Sequence, residues 1–550
     1  MLRRTYREGG KVKNETLANL SRLPAETIEL VRRSLRGEQF LSAAEAFEVE
    51  RSLPHGHVAA VLGMARRLEL ARLLDRSPSP ERARVLAMIV QQVLAPGSKL
   101  ACTRALGQST LAEELGVVGV DADELYAALD WLGERQERIE RRLAGRHLGE
   151  GAHVLYDVSS SYFEGRTCPL LALGYSRDGR RGTLQIIYGL LCDRDGRPVA
   201  IEVFPGGVHD DKTLPAQIAK LRQRFGLTTL LLIVDRGMAT KANLETLAAL
   251  PGTSWITALK APQVKKLVRD GSLQLSLFDE TNLAEITSAD FPGERLVVCR
   301  NPLVAAERAR KRDDLLAATE AALAQIKQRV DAGTLLEATQ VALAVGEAIN
   351  RRKMRKHFEL EIADGRFDYR RKQHQIDEEA ALDGFYVLRT NLTEETLAAP
   401  DVVRSYKQLA HAERAFRTLK GPELEIRPIR HRREDRVRAH AFLCLLAYYL
   451  EWHLRQAWTP LLFTDEQPPL HSDPVAKAER SPAAKRKAST HHTAEGESCH
   501  SFTSLLAELA LIVRNTNQIT GTDATFDKTT RPNPAQARAL ELAGSDPNRL

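Results

Sequence analysis

The stretch Leu230-Leu-Leu-Ile-Val-Asp235-Arg236-Gly237 decides the fold. Five consecutive apolar residues closed by a carboxylate and a glycine predict a short buried strand that carries an acidic group to the open edge of a sheet. Upstream, His153-Val-Leu-Tyr-Asp157 has the same form, with Asp157 ending the apolar run. Between the two, Leu184–Leu191 and Val199–Phe204 predict two further strands, joined as a hairpin by the turn Asp193-Arg-Asp-Gly196-Arg-Pro198. Helices are predicted over 213–225 and 241–250, and a strand over 254–259.

Three antiparallel strands followed by alternating helices and strands is the order of an RNase H-like fold. In that fold a first carboxylate lies on the first strand and a second at the end of the fourth. A third candidate, Glu413, falls in a helical stretch running from Tyr406 to Lys420. At about 100° per residue, Tyr406, Leu409, Glu413, Arg417 and Lys420 share a stripe roughly 80° wide. Ala412, Phe416 and Leu419 make a core side, and Lys407, His411, Arg414 and Thr418 a wet side. An ordinary surface pair between Glu413 and Arg417 would also explain part of this stripe. Three hard oxygen donors on separate rigid elements suit one or two Mg²⁺ ions, with Mn²⁺ as a substitute, for in-line displacement at phosphorus.

The stripe resembles the Tyr-x2-Arg-x3-Glu-x6-Lys signature of the DDE transposases of bacterial insertion sequences. Tyr406, Glu413 and Lys420 stand at its spacing, and Leu409 occupies the Arg slot. The chain is also similar to these proteins at Tyr156-Asp157-Val-Ser-Ser-Ser-Tyr162-Phe-Glu164-Gly, Val234-Asp235-Arg236-Gly237-Met, Phe204–Thr213, Ile426-Arg427-Pro428-Ile-Arg-His431 and Pro96-Gly-Ser-Lys99. The resemblance implies Asp157, Asp235 and Glu413 as catalytic metal ligands, and Tyr406, Arg417 and Lys420 at DNA. It further implies hydrolysis at a transposon end, attack of the freed 3′-hydroxyl on target DNA, a homodimer on DNA, and a place at the bacterial nucleoid in the cytoplasm. Glu164 is the acidic residue that competes with Glu413 for the third ligand position.

Composition agrees with a polyanion as partner. The formal charge is +7, and residues 402–440 carry 11 Lys and Arg against 5 Asp and Glu, so most of the excess sits beside Glu413. Six cysteines without a paired spacing read as reduced thiols of a cytosolic protein, and the His491, His492, Cys499, His500 group lacks the second pair a zinc site needs. No stretch of 18 apolar residues appears, and Ala441–Leu450 reads as a buried helix.

The expected architecture is α/β. A mainly helical DNA-end-binding and dimerisation region covers 1–148, and the RNase H-like core lies in two parts, 149–261 and 399–465. An inserted α+β subdomain spans 262–398, with a helical hairpin in which Leu316, Leu323, Ile326 and Val330 form the buried stripe and Gly333 the cap. Residues 466–550, with Pro468, Pro469, Pro474, Pro482 and the run Ala484–His492, read as a disordered basic linker and a final helix. Two other readings share these features. A cellular RNase H-like nuclease or resolvase needs the same carboxylates, although the long insertion and basic linker speak against it. A DNA-binding regulator derived from a transposase would be expected to have lost a carboxylate, and all three stand.

Overall fold

A computed structural model describes residues 1–38, 40, 46–180, 182–279 and 281–546. An eight-stranded mixed sheet organises the chain. Its order is Pro198–Pro205, Gln185–Asp193, Ala152–Tyr162, Leu230–Val234, Thr253–Ala258, Phe385–Thr390, Arg295–Arg300 and Leu283–Ile286. The first three strands pair antiparallel, and the third, fourth and fifth run parallel. The first five strands have the arrangement of the RNase H-like fold. Strand Leu230–Val234 is wholly buried, which is why its sequence is a continuous apolar run rather than an alternating one. Gly189 permits a close cross-strand fit, because a Cβ there would lie 2.3 Å from the Tyr156 hydroxyl.

The Asp157 strand does not stop at Asp157. It continues through Val158-Ser-Ser-Ser-Tyr162 in register with Gln185. Two of its buried serines are bonded: the Arg177 N–H donates to Ser160 Oγ (2.9 Å), and Ser161 Oγ bonds the Tyr188 hydroxyl (2.9 Å). Such bonds let polar residues extend a buried strand.

The helix Glu434–Ala457, buried throughout Ala441–Leu450, packs on strand Pro198–Pro205 and on helices Gly56–Arg67, Pro80–Leu94 and Ala122–Glu134. The amino-terminal helices therefore share one hydrophobic core with the sheet. Ahead of them, the hairpin Leu2–Glu8 with Lys11–Ala18 is almost fully exposed, and helix Ala25–Leu35 buries no residue.

The insertion divides in two. Its strands Leu283–Ile286, Arg295–Arg300 and Phe385–Thr390 extend the central sheet, whereas helices Pro302–Asp331 and Ala338–Arg352 and the hairpin Phe358–Ala363 with Arg366–Arg371 bury a core of their own. Leu316, Leu323, Ile326 and Val330 are buried there, and Gly333 follows the first helix at φ +73°.

The expected disordered linker is folded back onto the molecule. Helix Pro482–Thr490 is capped by Ser481, and the buried Lys487 ammonium donates to Thr459 O (3.1 Å) and Leu462 O (3.2 Å) and pairs with Glu466 (2.6 Å). Strand Val513–Ile519 pairs with Phe47–Pro54 on one side and Thr525–Thr529 on the other, and Trp458 Nε1 donates to Ala539 O (2.8 Å). Remote partners decide here, against a local composition that favours disorder.

Candidate active site

The parallel pairing of Tyr156 with Val234 fixes the first two carboxylates. Asp157 and Asp235 each come one residue later, at equivalent registers on neighbouring strands about 4.8 Å apart, so they lie side by side on one face. Glu413 is supplied by helix Leu409–Lys420, which packs on the Asp157 strand and is anchored by Phe416 against the edge of Tyr188 (centroids 5.6 Å apart). All three line one open cleft of about 1130 Å³, together with Ser159, Arg177, Asp178, Tyr406, Leu409, Arg417, Lys420 and Arg427.

The single helix expected over 406–420 is two. Ala399–Lys407 ends and Leu409–Lys420 begins around Gln408, so Tyr406 and Glu413 reach the cleft from different helices. Thr418, expected on the wet side, is buried. His411 turns to the hairpin loop at Arg194 O (3.1 Å), and Lys407 Nζ donates to Pro474 O (2.5 Å). Glu413 and Arg417 are both exposed, and among the described residues neither makes an ion pair, so the surface-pair reading of the stripe falls away. Leu409 is buried in the cleft wall, where it offers no charge. Glu164 does not line the cleft: its N–H donates to Ile429 O (2.9 Å) and its carboxylate pairs with Arg430 (2.9 Å).

Asp157 is the electrostatic centre. Burial first, and then the charges of Asp235 and Glu413, push its carboxyl up to about 7, while the Val158 N–H (2.8 Å) and Arg177 pull the other way. Burial, with Asp235 behind it, likewise raises the Tyr406 hydroxyl.

Two residues that sequence reasoning passed over, Asp178 and Arg177, complete the walls together with Arg427. The Asp178 side chain is only 1% exposed, and accepts from Lys420 Nζ (2.9 Å), from the Tyr162 N–H (2.9 Å) and from Arg427. Burial drives its carboxyl up, but these partners outweigh burial and hold it below the usual range. Arg177 grips both oxygens of Asp210 (2.5 Å each). The carboxylates of Asp210 and Asp235 come together over Gly237, each 3.6 Å from where a Cβ there would lie. Arg427 was legible as part of a motif; Asp178 and Arg177 come from an aperiodic loop that gave no signal.

Among the described residues, no three His, Cys, Asp or Glu side chains close around a point as a finished metal cage. The donors are hard oxygens in an open cleft, and Asp157 carries a buried, mutually repelled charge. That set fits a Mg²⁺-type ion which keeps waters and takes part of its shell from a substrate phosphate. Among the described residues no single helix is long and apolar enough to cross a membrane.

The family model for the transposase DDE domain matches residues 172–450, a segment that holds Asp235 and Glu413 and begins after Asp157. The amino-terminal domain of IS1634 family transposases matches residues 1–46. No curated protein matches the chain. Among solved structures, the cryo-EM structure of the piggyBac transposase synaptic complex with hairpin DNA is similar at a TM-score of 0.36 and 9% identity, covering 83% of this chain and 76% of that one. With half of its length inside the DDE domain and the amino-terminal match beside it, the chain belongs to the DDE transposases of bacterial insertion sequences.

Proposed function

We propose that this transposase cuts DNA at the ends of its insertion sequence and joins the freed 3′-hydroxyls to target DNA by metal-dependent transesterification. The observation that supports this reading best is the cleft itself. Asp157 and Asp235 stand at equivalent registers of adjacent parallel strands, and Glu413 lines the same cleft from a helix. Asp157, Asp235 and Glu413 would hold Mg²⁺ or Mn²⁺, which supplies Lewis acidity for the attacking oxygen and charge relief for the leaving one.

The chain's own residues do the rest. Arg417, exposed on the cleft wall, takes a backbone phosphate. Lys420, with Asp178 as its resting partner, adds positive potential deeper in. Arg177 neutralises Asp210, so the negative charge left for the reaction is that of the three proposed ligands. Tyr406, poorly acidic and half-buried, remains a neutral hydroxyl that can donate to a phosphate or stack on a base. Handling two ends of one element calls for two copies, so the active form on DNA is a homodimer.

Plasmid cleavage with folded, DNA-binding variants tests the site. Asp235→Asn and Glu413→Gln should each lower Mg²⁺-dependent cleavage by at least about a thousandfold, the scale of losing a central electrostatic stabiliser. Glu164→Gln should lower it only moderately. A dead Glu164→Gln beside an active Glu413→Gln would overturn the assignment.

A further inference from the structure

Two motifs that the cleft does not fully absorb, Pro96-Gly-Ser-Lys99 and Pro428-Ile-Arg-His431, meet in a separate small pocket of about 190 Å³. We propose that this pocket, with Lys99, Ser98, Tyr126, Arg430, His431 and His440 in its wall, is a second anion site that binds one phosphate group outside the catalytic cleft.

Lys99 carries the argument. It is only 3% exposed and lines the pocket, yet among the described residues no hydrogen bond or ion pair holds its ammonium. A buried ammonium without a counter-charge is costly, and such groups are normally paired or occupied by a ligand. Burial pulls the Lys99 amine itself below its usual range, a cost that a bound anion would offset, and its titratable neighbours cannot serve: burial pushes the Cys102 thiol up and the Cys444 thiol up to about 12, so both stay neutral. Glu425, the one carboxylate in the wall, is exposed and makes no pair with Lys99.

The rest of the wall suits the same ligand. Lys99 opens helix Lys99–Leu106, whose positive end meets the pocket, with Ser98 Oγ accepting from the Ala101 N–H (3.1 Å). Burial, then Lys99 and Arg436, pull His431 down to about 4, which leaves a neutral imidazole with one N–H to donate. His431 lies tilted against His440 (5.1 Å) and edge-on to Tyr126 (6.0 Å), so its ring is held. Arg430, exposed at the mouth and paired on its outer side with Glu164 (2.9 Å), adds a second cation. At about 190 Å³ the pocket has room for a phosphate and some solvent.

The pocket is tied to the cleft by one strap. Arg427 lines the cleft, Pro428 and His431 line the pocket, and Ile429 between them bridges to Phe163 at the end of the Asp157 strand. A backbone phosphate of bound DNA and free inorganic phosphate offer the same anionic oxygens, and the experiment separates them.

Full-length protein is melted with increasing sodium phosphate against sodium chloride at matched ionic strength, and duplex binding is measured across salt, for wild type, Lys99→Met and Arg430→Gln. Saturable stabilisation of wild type by phosphate that Lys99→Met loses and Arg430→Gln weakens several-fold assigns a free-phosphate site. No phosphate response, but a salt slope about one lower in Lys99→Met, assigns the site to a DNA phosphate. If phosphate response and salt slope are the same in wild type and Lys99→Met, the proposal fails. Should Lys99→Met not fold, Arg430→Gln decides on the same readouts, and no change in either one overturns the site.

Discussion

Asp157 and Asp178 line the same cleft and meet opposite fates. Asp178 is surrounded by Lys420, Arg427 and the Tyr162 N–H, and its carboxyl is held low. Asp157 has the Val158 N–H and the more distant Arg177, faces two other carboxylates, and is pushed up to about 7. A buried charge with a full set of partners fixes local structure; one left among like charges is poised for a ligand. The difference separates the charges that build the cleft from those that use it.

Removing Asp178 should break the comparison at its structural end. Asp178→Asn leaves Lys420 and Arg427 without their shared anion, and breaking a buried pair costs about 3–5 kcal/mol. Urea unfolding near neutral pH should show a loss of that size. Because the folded carboxyl is depressed, its stabilisation is present above the unfolded value near ~3.9 and is lost as pH falls through the lower folded value. A loss under about 1 kcal/mol would place Asp178 among ordinary surface pairs.

Asp157 should behave with the opposite sign. Its folded value, about 7, lies above the unfolded one, so in metal-free protein stability declines as pH rises through the window between them. The shift sets an upper bound of about 4 kcal/mol on that decline. Asp157→Asn should therefore melt higher than wild type at pH 8 without metal, and Mg²⁺ should close the gap by stabilising only the wild type. A lower melting point at pH 8 would mean that Asp157 is a structural carboxylate like Asp178.

The smallest expected effect belongs to the cleft's exposed cation. Arg417→Ala should leave stability unchanged and lower the salt slope of duplex binding by about one unit. An unchanged slope would remove Arg417 from the DNA path.

The core strands were legible because Leu230–Val234 and Val154–Tyr156 are buried on both faces and are written as apolar runs. The insertion's helical hairpin was legible from Leu316, Leu323, Ile326, Val330 and the Gly333 cap. The break at Gln408 was not, since an apolar and basic period of about 3.6 continues across it. Arg177 and Asp178 were invisible for a different reason. Their loop has no period, and its place is set by bonds to Ser160 and Tyr162, whose strand had been expected to stop earlier. The folded tail was misread because Lys487 and Trp458 find their partners far from the local composition that suggested disorder.

Strand Phe47–Pro54 has its sheet partner more than four hundred residues later, in Val513–Ile519, and the His55 N–H closes the join on Ile512 O (2.8 Å). During synthesis that early strand waits for its sheet partner until Val513–Ile519 has left the ribosome. A product halted before residue 513 would carry a carboxylate cleft with an unfinished amino-terminal sheet, an edge prone to aggregation and to proteolysis.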